Sequence, residues 1–264
     1  MTEPSHPSSA RTVNQALRTG ELVVGTFVFE FATNGIGRLA AGAGAEFVIY
    51  DAEHTGWSWE TLGRLVATTR GGDAEAYIRV PTTERSAISR ALDVGAKGIM
   101  IPMVEGAEQA RTIVSWAKYP PVGIRGAAFG VAHDDYVRGD NVAYMRRSNA
   151  DNLIFTQIET AAGLAAVEEI AAVDGVDVLW VGHYDLTNSM GIPGEFDHPD
   201  YLAALDRVAK AAQAHGKAAG FMAGSLREAS MLVERGFRIL AYGGDLWVYQ
   251  DALRVGIGAV KDLR

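Results

Sequence analysis

The chain alternates short apolar segments with longer segments of helical periodicity, and it does so eight times. Strands that alternate with helices in this way form parallel sheets, because each helix carries the chain back to the start of the next strand. Eight evenly spaced units favour a single closed (β/α)8 barrel of the TIM type over the alternative, an open doubly wound sheet. The predicted strands are residues 23–29, 47–51, 75–80, 98–103, 152–160, 176–182, 217–222 and 238–243.

Length and composition agree with a single barrel. The chain has 264 residues, close to the about 250 that are typical of this fold. Hydrophobic residues make up 48% of it, enough to fill a barrel interior and a layer of helices around the barrel. We expect one catalytic barrel over residues 21–264. Residues 1–20 are expected to form an N-terminal tail and lead-in, of which the polar residues 1–10 are disordered and carry no secretory signal.

Charge and cysteine content limit the possible partners and chemistries. A net charge of −8 without a run of Lys or Arg argues against a nucleic-acid partner. No apolar run reaches the about 18 residues of a membrane span, so we expect no membrane partner. The chain has no cysteine, which excludes disulfides, thiolate zinc sites and a cysteine nucleophile, and which is compatible with the expected cytoplasmic location. The expected partners are small molecules.

Two carboxylates follow neighbouring strands at the ends where those strands finish. Glu159 ends the fifth predicted strand and Asp185 comes just after the sixth. In a parallel barrel these ends surround one mouth, and carboxylate oxygens there suit a hard divalent cation that keeps open positions for substrate. The alternative is that each carboxylate caps the helix that follows it.

Other polar residues are predicted to lie at the same mouth. Arg79 ends the third strand, where it either forms a buried ion pair with Asp51 or Glu53 or grips a carboxylate or a developing enolate oxygen. His54 follows the second strand and is a possible base, which Asp93 could orient if the two lie close in space. Glu53 is expected to be structural. Two long loops, residues 119–150 and 187–199, are both expected on this face of the barrel.

The sequence resembles a known family, the metal-dependent class II pyruvate aldolases, typified by 4-hydroxy-2-oxoheptanedioate aldolase and 2-dehydro-3-deoxyglucarate aldolase. The resemblance covers residues 25–252, and the order of the motifs is more specific than any one of them. These motifs are Asp51-Ala-Glu-His54, Ile78-Arg79, Leu92-Asp-Val-Gly-Ala96, Ile101-Pro-Met-Val104, Tyr119-Pro-Pro121, Gly123-Ile-Arg-Gly126, Gln157-Ile-Glu-Thr160, Val173-Asp-Gly-Val-Asp177, Asp185-Leu186 and Ser189-Met-Gly191.

The resemblance implies an enzyme that reversibly cleaves a 4-hydroxy-2-oxo acid to pyruvate and an aldehyde through an enolate. An alternative use of the same site is decarboxylation of oxaloacetate or trapping of its enolate by another acceptor. The cofactor implied is a divalent cation, Mg²⁺, Mn²⁺ or Co²⁺, and the assembly implied is a homohexamer, a trimer of dimers, with last helices exchanged between subunits.

The resemblance also assigns roles to residues. Glu159 and Asp185 match the metal ligands, His54 and Asp93 match a catalytic pair, and Asp51 matches a supporting carboxylate behind the metal site. Arg79 matches the arginine that holds the oxo acid and its enolate. The residues expected to bind substrate are Arg79, Gln157, Gly182, His183, Tyr184 and Met222.

The chain departs from the family pattern around the expected acceptor pocket. It reads Gly182-His-Tyr-Asp-Leu186 where the family commonly has Gly-Pro-Ala-Asp-Leu, and its first strand ends in Phe29-Glu-Phe31. These bulkier residues predict a narrowed pocket that favours small or hydroxylated aldehydes over long dianionic semialdehydes, which the Glu30 carboxylate would repel.

Overall fold

The computed structural model describes residues 11–263, and in it eight parallel strands close into one barrel. Each strand pairs with the next along the chain, and the eighth pairs with the first. The predicted fold is therefore confirmed. The strands are β1 (Val23–Val28), β2 (Phe47–Asp51), β3 (Glu75–Arg79), β4 (Gly98–Ile101), β5 (Leu153–Ile158), β6 (Val178–Val181), β7 (Ala218–Ala223) and β8 (Ile239–Gly244).

The helices pack around the barrel, and their apolar faces bury against the outer side of the strands. None of the helices in residues 11–263 is long and apolar enough to cross a membrane. They are α1 (Val13–Arg18), α2 (Ile36–Gly42), α3 (Trp59–Thr69), α4 (Arg85–Asp93), α5 (Ala107–Ala117), α6 (Asn141–Asp151), α7 (Ala161–Ala165), α8 (Val167–Ala171), α9 (His183–Ser189), α10 (Pro199–Ala214), α11 (Leu226–Glu234) and α12 (Asp245–Lys261).

The barrel interior is a second core, built from alternate residues of each strand. Successive side chains of a strand point to opposite sides, so every second residue faces the interior. Aromatic side chains dominate this interior, and their rings contact one another across the barrel. They are Phe27, Phe47, Tyr77, Phe155 and Trp180.

The lead-in is more ordered than the sequence analysis expected. Helix α1 closes the N-terminal end of the barrel, where Val13 and Ala16 join the interior core. Thr12 caps this helix, and the backbone N–H of Val13 donates a hydrogen bond of 2.9 Å to the Glu75 carboxylate at the start of β3. The expectation of a disordered tail over residues 1–10 lies outside the described residues.

The structure corrects the position of one long loop. Residues 119–150 contain α6, and they cover the N-terminal end of the barrel instead of the mouth. The Lys118 ammonium, at the start of this segment, donates to the carbonyl oxygens of Asn149 and Asn152 at 2.8 and 2.6 Å, beside the start of β5. The physical reason is topological: a helix-to-strand connection in a barrel returns to the N-terminal face. The segment over 187–199 follows β6 and lies on the C-terminal face, as expected, although α9 extends into it as far as Ser189.

Candidate active site

An ion pair between neighbouring strands forms the base of the site. Strands β2 and β3 pair with Asp51 opposite Arg79, at the C-terminal end of both strands. The Arg79 Nε donates a hydrogen bond of 2.6 Å to Asp51 Oδ1. Asp51 is 0% exposed and Arg79 is 8% exposed. Two charges buried to this extent need each other, because either one alone would lack compensation for its lost hydration.

Asp51 also shapes the loop that follows β2. Its two carboxylate oxygens accept hydrogen bonds from the backbone N–H groups of Glu53 at 3.1 Å and His54 at 2.9 Å. This turn directs Glu53 back to Arg79, whose Nη1 lies 3.2 Å from the Glu53 carboxylate. Glu53 also lies 3.7 Å from His54 Nε2. Glu53 is therefore part of the site, beyond the purely structural role that the sequence analysis gave it.

The Arg79 guanidinium is held by carboxylates on one side and by aromatic rings on the other. Its central carbon lies 5.3 Å from the ring centre of Phe27 and 5.8 Å from that of Phe29. A cation that lies above the face of an aromatic ring is attracted to it electrostatically. The ion-pair alternative for Arg79 is thus observed. Nη2 makes no hydrogen bond to any residue in 11–263, which leaves a donor for a bound anion.

Glu159 lies at the far side of the mouth, after β5, and only 2% of it is exposed. Its Oε1 accepts a hydrogen bond of 2.6 Å from the backbone N–H of Met103, and its Oε2 accepts one from the Gln157 side-chain amide. Burial raises the pKa of Glu159 to about 7, and the negative charges of Glu53 and Asp185 act in the same direction.

The loop after β4 is shaped to make this contact. Met103 has a φ of 54°, in the left-handed region that a side chain other than glycine rarely adopts. A residue held there costs of order 1 kcal/mol and persists where the surroundings impose it. The conformation directs the Met103 N–H at Glu159, so the strained residue serves to orient a carboxylate of the site.

Asp185 lies in the first turn of α9 and is exposed. Within residues 11–263, no group of three or more His, Cys, Asp or Glu side chains is close enough to surround a metal ion. Glu159 and Asp185 nevertheless fit a divalent cation that takes its remaining ligands from substrate and water, because both offer hard oxygen donors. A cation there would also offset the repulsion from Glu53 and Asp185, which adds to the effect of burial on the pKa of Glu159. Next to Glu159, the buried Oε1 of Gln157 has no hydrogen-bond partner among the described residues and is a further oxygen that can interact with a bound group.

Asp93 does not lie beside His54 in this structure. It ends α4, and a helix that follows a barrel strand runs back towards the N-terminal face. There it accepts a hydrogen bond of 2.7 Å from Arg125 Nη2. His54 follows the opposite end of β2. The expected pairing of His54 with Asp93 is therefore wrong within a single chain, and the carboxylate beside His54 is that of Glu53.

A cavity of about 200 Å³ opens above these charges, and it brings together most of the residues that the sequence analysis selected. The lining residues that the sequence did not suggest are Phe27, Trp180, Val181 and Trp247. The first three lie in barrel strands, where an apolar side chain normally belongs to the core. The cavity is lined by Phe27, Phe29, His54, Arg79, Gln157, Trp180, Val181, Gly182, His183, Tyr184, Asp185, Met222 and Trp247.

Asp245 is a second residue that the sequence analysis missed. It begins α12, and its carboxylate accepts hydrogen bonds from three successive backbone N–H groups, those of Phe29 at 2.9 Å, Glu30 at 3.0 Å and Phe31 at 2.7 Å. It therefore fixes the end of β1 against the start of the last helix. The signal was available: Asp245 follows the eighth strand just as Asp185 follows the sixth.

His183 and Tyr184 both border the cavity, as predicted. The His183 ring stacks on Phe221, with ring centres 4.9 Å apart, and meets the edge of Phe196 at 5.4 Å. Burial among these rings lowers the pKa of His183 to about 4. At neutral pH this imidazole is therefore uncharged, and it extends the aromatic wall of the mouth.

Comparison with known proteins places this site in a family. The model of the HpcH/HpaI aldolase/citrate lyase family matches residues 32–252. The chain belongs to this family. The 5-keto-4-deoxy-D-glucarate aldolase of Klebsiella pneumoniae is 37% identical over 219 residues, which is 83% of this chain and 85% of the relative. The enzyme of that name from Escherichia coli K12 is 36% identical over 80% of this chain and 81% of its own length.

A solved structure agrees with these sequence relatives. An HpcH/HpaI aldolase from Desulfitobacterium hafniense superimposes with a TM-score of 0.91 at 32% identity, covering 97% of this chain and 98% of that one. The resemblance to an aldolase family that the motifs indicated is thereby confirmed.

Gly182 allows a direct test of how closely the site is packed. A Cβ atom at this position would lie 2.7 Å from Glu159 Cβ and 2.9 Å from Gln157 Nε2, so both side chains would have to move. We expect Gly182→Ala to lower kcat/KM for carbon–carbon cleavage by about 10- to 100-fold, because small displacements of catalytic groups have effects of this size. The measurement is steady-state kinetics together with thermal melting.

The control is Gly106→Ala, on the same face of the barrel, where an added Cβ meets nothing within 4 Å. It should leave kcat/KM unchanged. Equal kinetics for the two variants would show that Glu159 and Gln157 tolerate displacement.

Proposed function

We propose that the protein is a metal-dependent class II aldolase that reversibly cleaves a 4-hydroxy-2-oxo acid to pyruvate and an aldehyde. The observation that carries the proposal is that one barrel mouth brings together Arg79, which Asp51 holds, and two carboxylates, Asp185 on the cavity lining and Glu159 directly beside the lining residue Gly182. Family membership supplies the reaction class.

Glu159 and Asp185 are proposed to hold the cation, which would be Mg²⁺, Mn²⁺ or Co²⁺. When bound, such a cation polarises the ketone of the oxo acid and stabilises negative charge on its oxygen. The chain itself orients the two carboxylates. The Met103 N–H and the Gln157 amide each bond to one oxygen of Glu159, and α9 carries Asp185.

Arg79 is proposed to bind the oxo-acid end of the substrate. The contacts with Asp51 and Glu53 use Nε and Nη1, so Nη2 can donate to a substrate oxygen. A donor that is already fixed in place stabilises charge that develops on oxygen without having to reorganise during the reaction.

His54 is proposed to move the proton. In cleavage, the C4 hydroxyl gives up its proton to His54, and the C3–C4 bond breaks. Its electron pair forms the enolate of pyruvate, while C4 leaves as the aldehyde carbonyl. Protonation of C3 then yields pyruvate, so the atoms and electrons balance. Glu53, 3.7 Å from His54 Nε2, stabilises the imidazole after it has accepted the proton.

The alternative, decarboxylation of oxaloacetate or trapping of the enolate by another acceptor, uses the same groups. The relatives at 36–37% identity bear the name of an aldolase, and this favours aldol cleavage as the primary activity. The proposed location is the cytoplasm, which stays a prediction from the sequence.

A homo-oligomer is part of the proposal, and the surface of α12 supports it. This helix buries none of its residues in the chain, although it is 17 residues long. Large apolar side chains are exposed along it, and apolar surface of this extent is characteristic of a protein interface. They are Trp247, Val248, Tyr249, Leu253, Val255, Ile257 and Val260. The more specific proposal is a hexamer in which neighbouring subunits exchange their last helices.

The metal assignment predicts that Glu159→Gln weakens Mn²⁺ binding by at least tenfold, because it removes one of two charged ligands. Electron paramagnetic resonance titration measures free Mn²⁺ directly and does not depend on turnover. The matched control is Glu169→Gln, an exposed carboxylate on α8. Tight Mn²⁺ binding that survives Glu159→Gln would contradict the assignment, as would wild-type pyruvate release that persists after treatment with a chelator.

If α12 forms the subunit interface, charges placed on this helix should dissociate the oligomer and so reduce the molecular mass of the protein in solution. Val255→Lys with Val260→Lys puts two ammonium groups on side chains that are 75% and 66% exposed in the chain. Sedimentation equilibrium should give a multimer for the wild type and smaller species for the double variant. Gln250→Lys, on the same helix, is the control for added charge. A wild-type protein that sediments as a monomer would rule the interface out.

A further inference from the structure

Regular strand pairing stops at the end of β1, beside the active site. Strand β1 pairs with β8 as far as Phe27, which lies opposite Gly244, and the register of this pairing shifts between Gly25 and Phe27. On its other side β1 pairs with β2 as far as Val28. Within residues 11–263, the N–H groups of the next three residues donate to no backbone carbonyl. Another acceptor is therefore needed to hold the chain after β1.

The Asp245 carboxylate is that acceptor. Its Oδ1 accepts a hydrogen bond of 2.9 Å from the N–H of Phe29, and its Oδ2 accepts from the N–H groups of Glu30 at 3.0 Å and Phe31 at 2.7 Å. Hydrogen bonds to an ionised carboxylate are stronger than those between neutral groups. Because β8 ends at Gly244, the barrel fixes the position of Asp245, whatever α12 contacts further along.

The simpler explanation is that Asp245 only complements the dipole of α12, since it lies in the first turn of that helix. Asp200 illustrates this role in the first turn of α10, where its side chain is 76% exposed. Asp245 differs from Asp200 because both of its oxygens bind the backbone of another element. Its contacts therefore stabilise the end of β1 as well as its own helix.

The end of β1 carries Phe29, whose ring lies on the cavity lining together with Arg79. The Phe29 ring stacks on Phe27, with centres 5.2 Å apart, and its centre lies 5.8 Å from the central carbon of the Arg79 guanidinium. Phe27 belongs to the strand, so the barrel itself places its ring. Phe29 follows the strand, so the position of its ring depends on the backbone that Asp245 holds.

The ring position affects the direction of the guanidinium. The Arg79 Nε and Nη1 contact the carboxylates of Asp51 and Glu53, and Nη2 is the donor proposed for substrate. A guanidinium is planar, so carboxylates at its edge and aromatic rings beside it together define where the remaining N–H groups point. Loss of the Phe29 ring would leave Phe27 as the one ring recorded beside this group in residues 11–263.

We propose that Asp245 is a positioning residue of the active site. By holding the backbone of Phe29, it keeps the Phe29 ring against Arg79 and so fixes the direction in which Nη2 meets a substrate oxygen. The inference rests on the proposed aldolase function, and it adds to that function a residue that acts through Phe29 and Arg79.

The experiment measures exchange of the methyl hydrogens of pyruvate in D₂O by nuclear magnetic resonance, with Mg²⁺ and no aldehyde. A C3–H bond breaks, the proton passes to a base, its electron pair forms the enolate, and a deuteron then bonds to C3. We expect Asp245→Asn to lower this exchange rate by about tenfold, because displaced catalytic groups lose rate on this scale. The amide keeps the shape of the carboxylate but has one acceptor oxygen for three N–H groups.

Two measurements separate positioning from a general loss of structure. Mn²⁺ affinity, measured by electron paramagnetic resonance, should be the same in Asp245→Asn as in the wild type, because other contacts hold Glu159. Asp200→Asn, which also removes a first-turn carboxylate, should leave the exchange rate unchanged. An equal loss of rate in Asp200→Asn would overturn the inference in favour of a helix-dipole effect.

A double-mutant cycle tests whether Asp245 acts through Phe29. Phe29→Leu should itself lower the exchange rate by about tenfold, and adding Asp245→Asn to it should lower the rate by less than about twofold, because coupled residues are not additive. Multiplied losses would overturn the inference, as would a wild-type rate in Asp245→Asn with the wild-type enzyme active. A wild type that does not exchange the pyruvate hydrogens would overturn the proposed function as well.

The test does not depend on the folding of Asp245→Asn. If that variant does not fold, Phe29→Leu and Phe29→Tyr decide, because the tyrosine keeps a ring beside the guanidinium and the leucine does not. We expect Phe29→Tyr to keep most of the exchange rate that Phe29→Leu loses. Equal rates in the two variants would overturn the inference.

Discussion

The buried pair of Asp51 and Arg79 is the interaction on which the site depends. An arginine that points into a barrel is unfavourable unless an opposite charge meets it, and Asp51 does so at 2.6 Å from the neighbouring strand. The same carboxylate holds the backbone of Glu53 and His54. Asp51 thus positions the Arg79 guanidinium directly, and it positions Glu53 and His54 through their backbone N–H groups.

The remainder of the mouth is arranged around this fixed charge. Phe27 and Phe29 cover the guanidinium face, and Glu159 lies across the cavity with its pKa raised to about 7 by burial. A cation at Glu159 and Asp185, as proposed, would relieve the repulsion between those carboxylates. Asp245 holds the backbone of Phe29, one of the aromatic residues that line the cavity.

Much of this could be predicted from the sequence, for a specific physical reason. Period-two strands and βα topology bring residues at strand ends to one mouth, so Arg79, Glu159 and Asp185 could be selected together. Predictions that depended on helices and loops were less accurate. The direction of α4 places Asp93 with Arg125, and the segment over 119–150 covers the opposite face of the barrel. Asp245 follows its strand as Asp185 does and could have been selected, whereas the three hydrogen bonds by which it holds the backbone after β1 have no sequence pattern.

The most direct test of the account is the rate of pyruvate release by Arg79→Lys from a 4-hydroxy-2-oxo acid, with the metal saturating. Lysine keeps the charge but loses the planar fork that hydrogen-bonds to Asp51, lies 3.2 Å from the Glu53 carboxylate and is proposed to donate to substrate from Nη2. We expect a loss in kcat of about 100-fold or more, the scale of removing one fixed donor to a developing oxyanion. A kcat equal to that of the wild type would contradict it, since Arg79 would then serve only as a structural partner of Asp51.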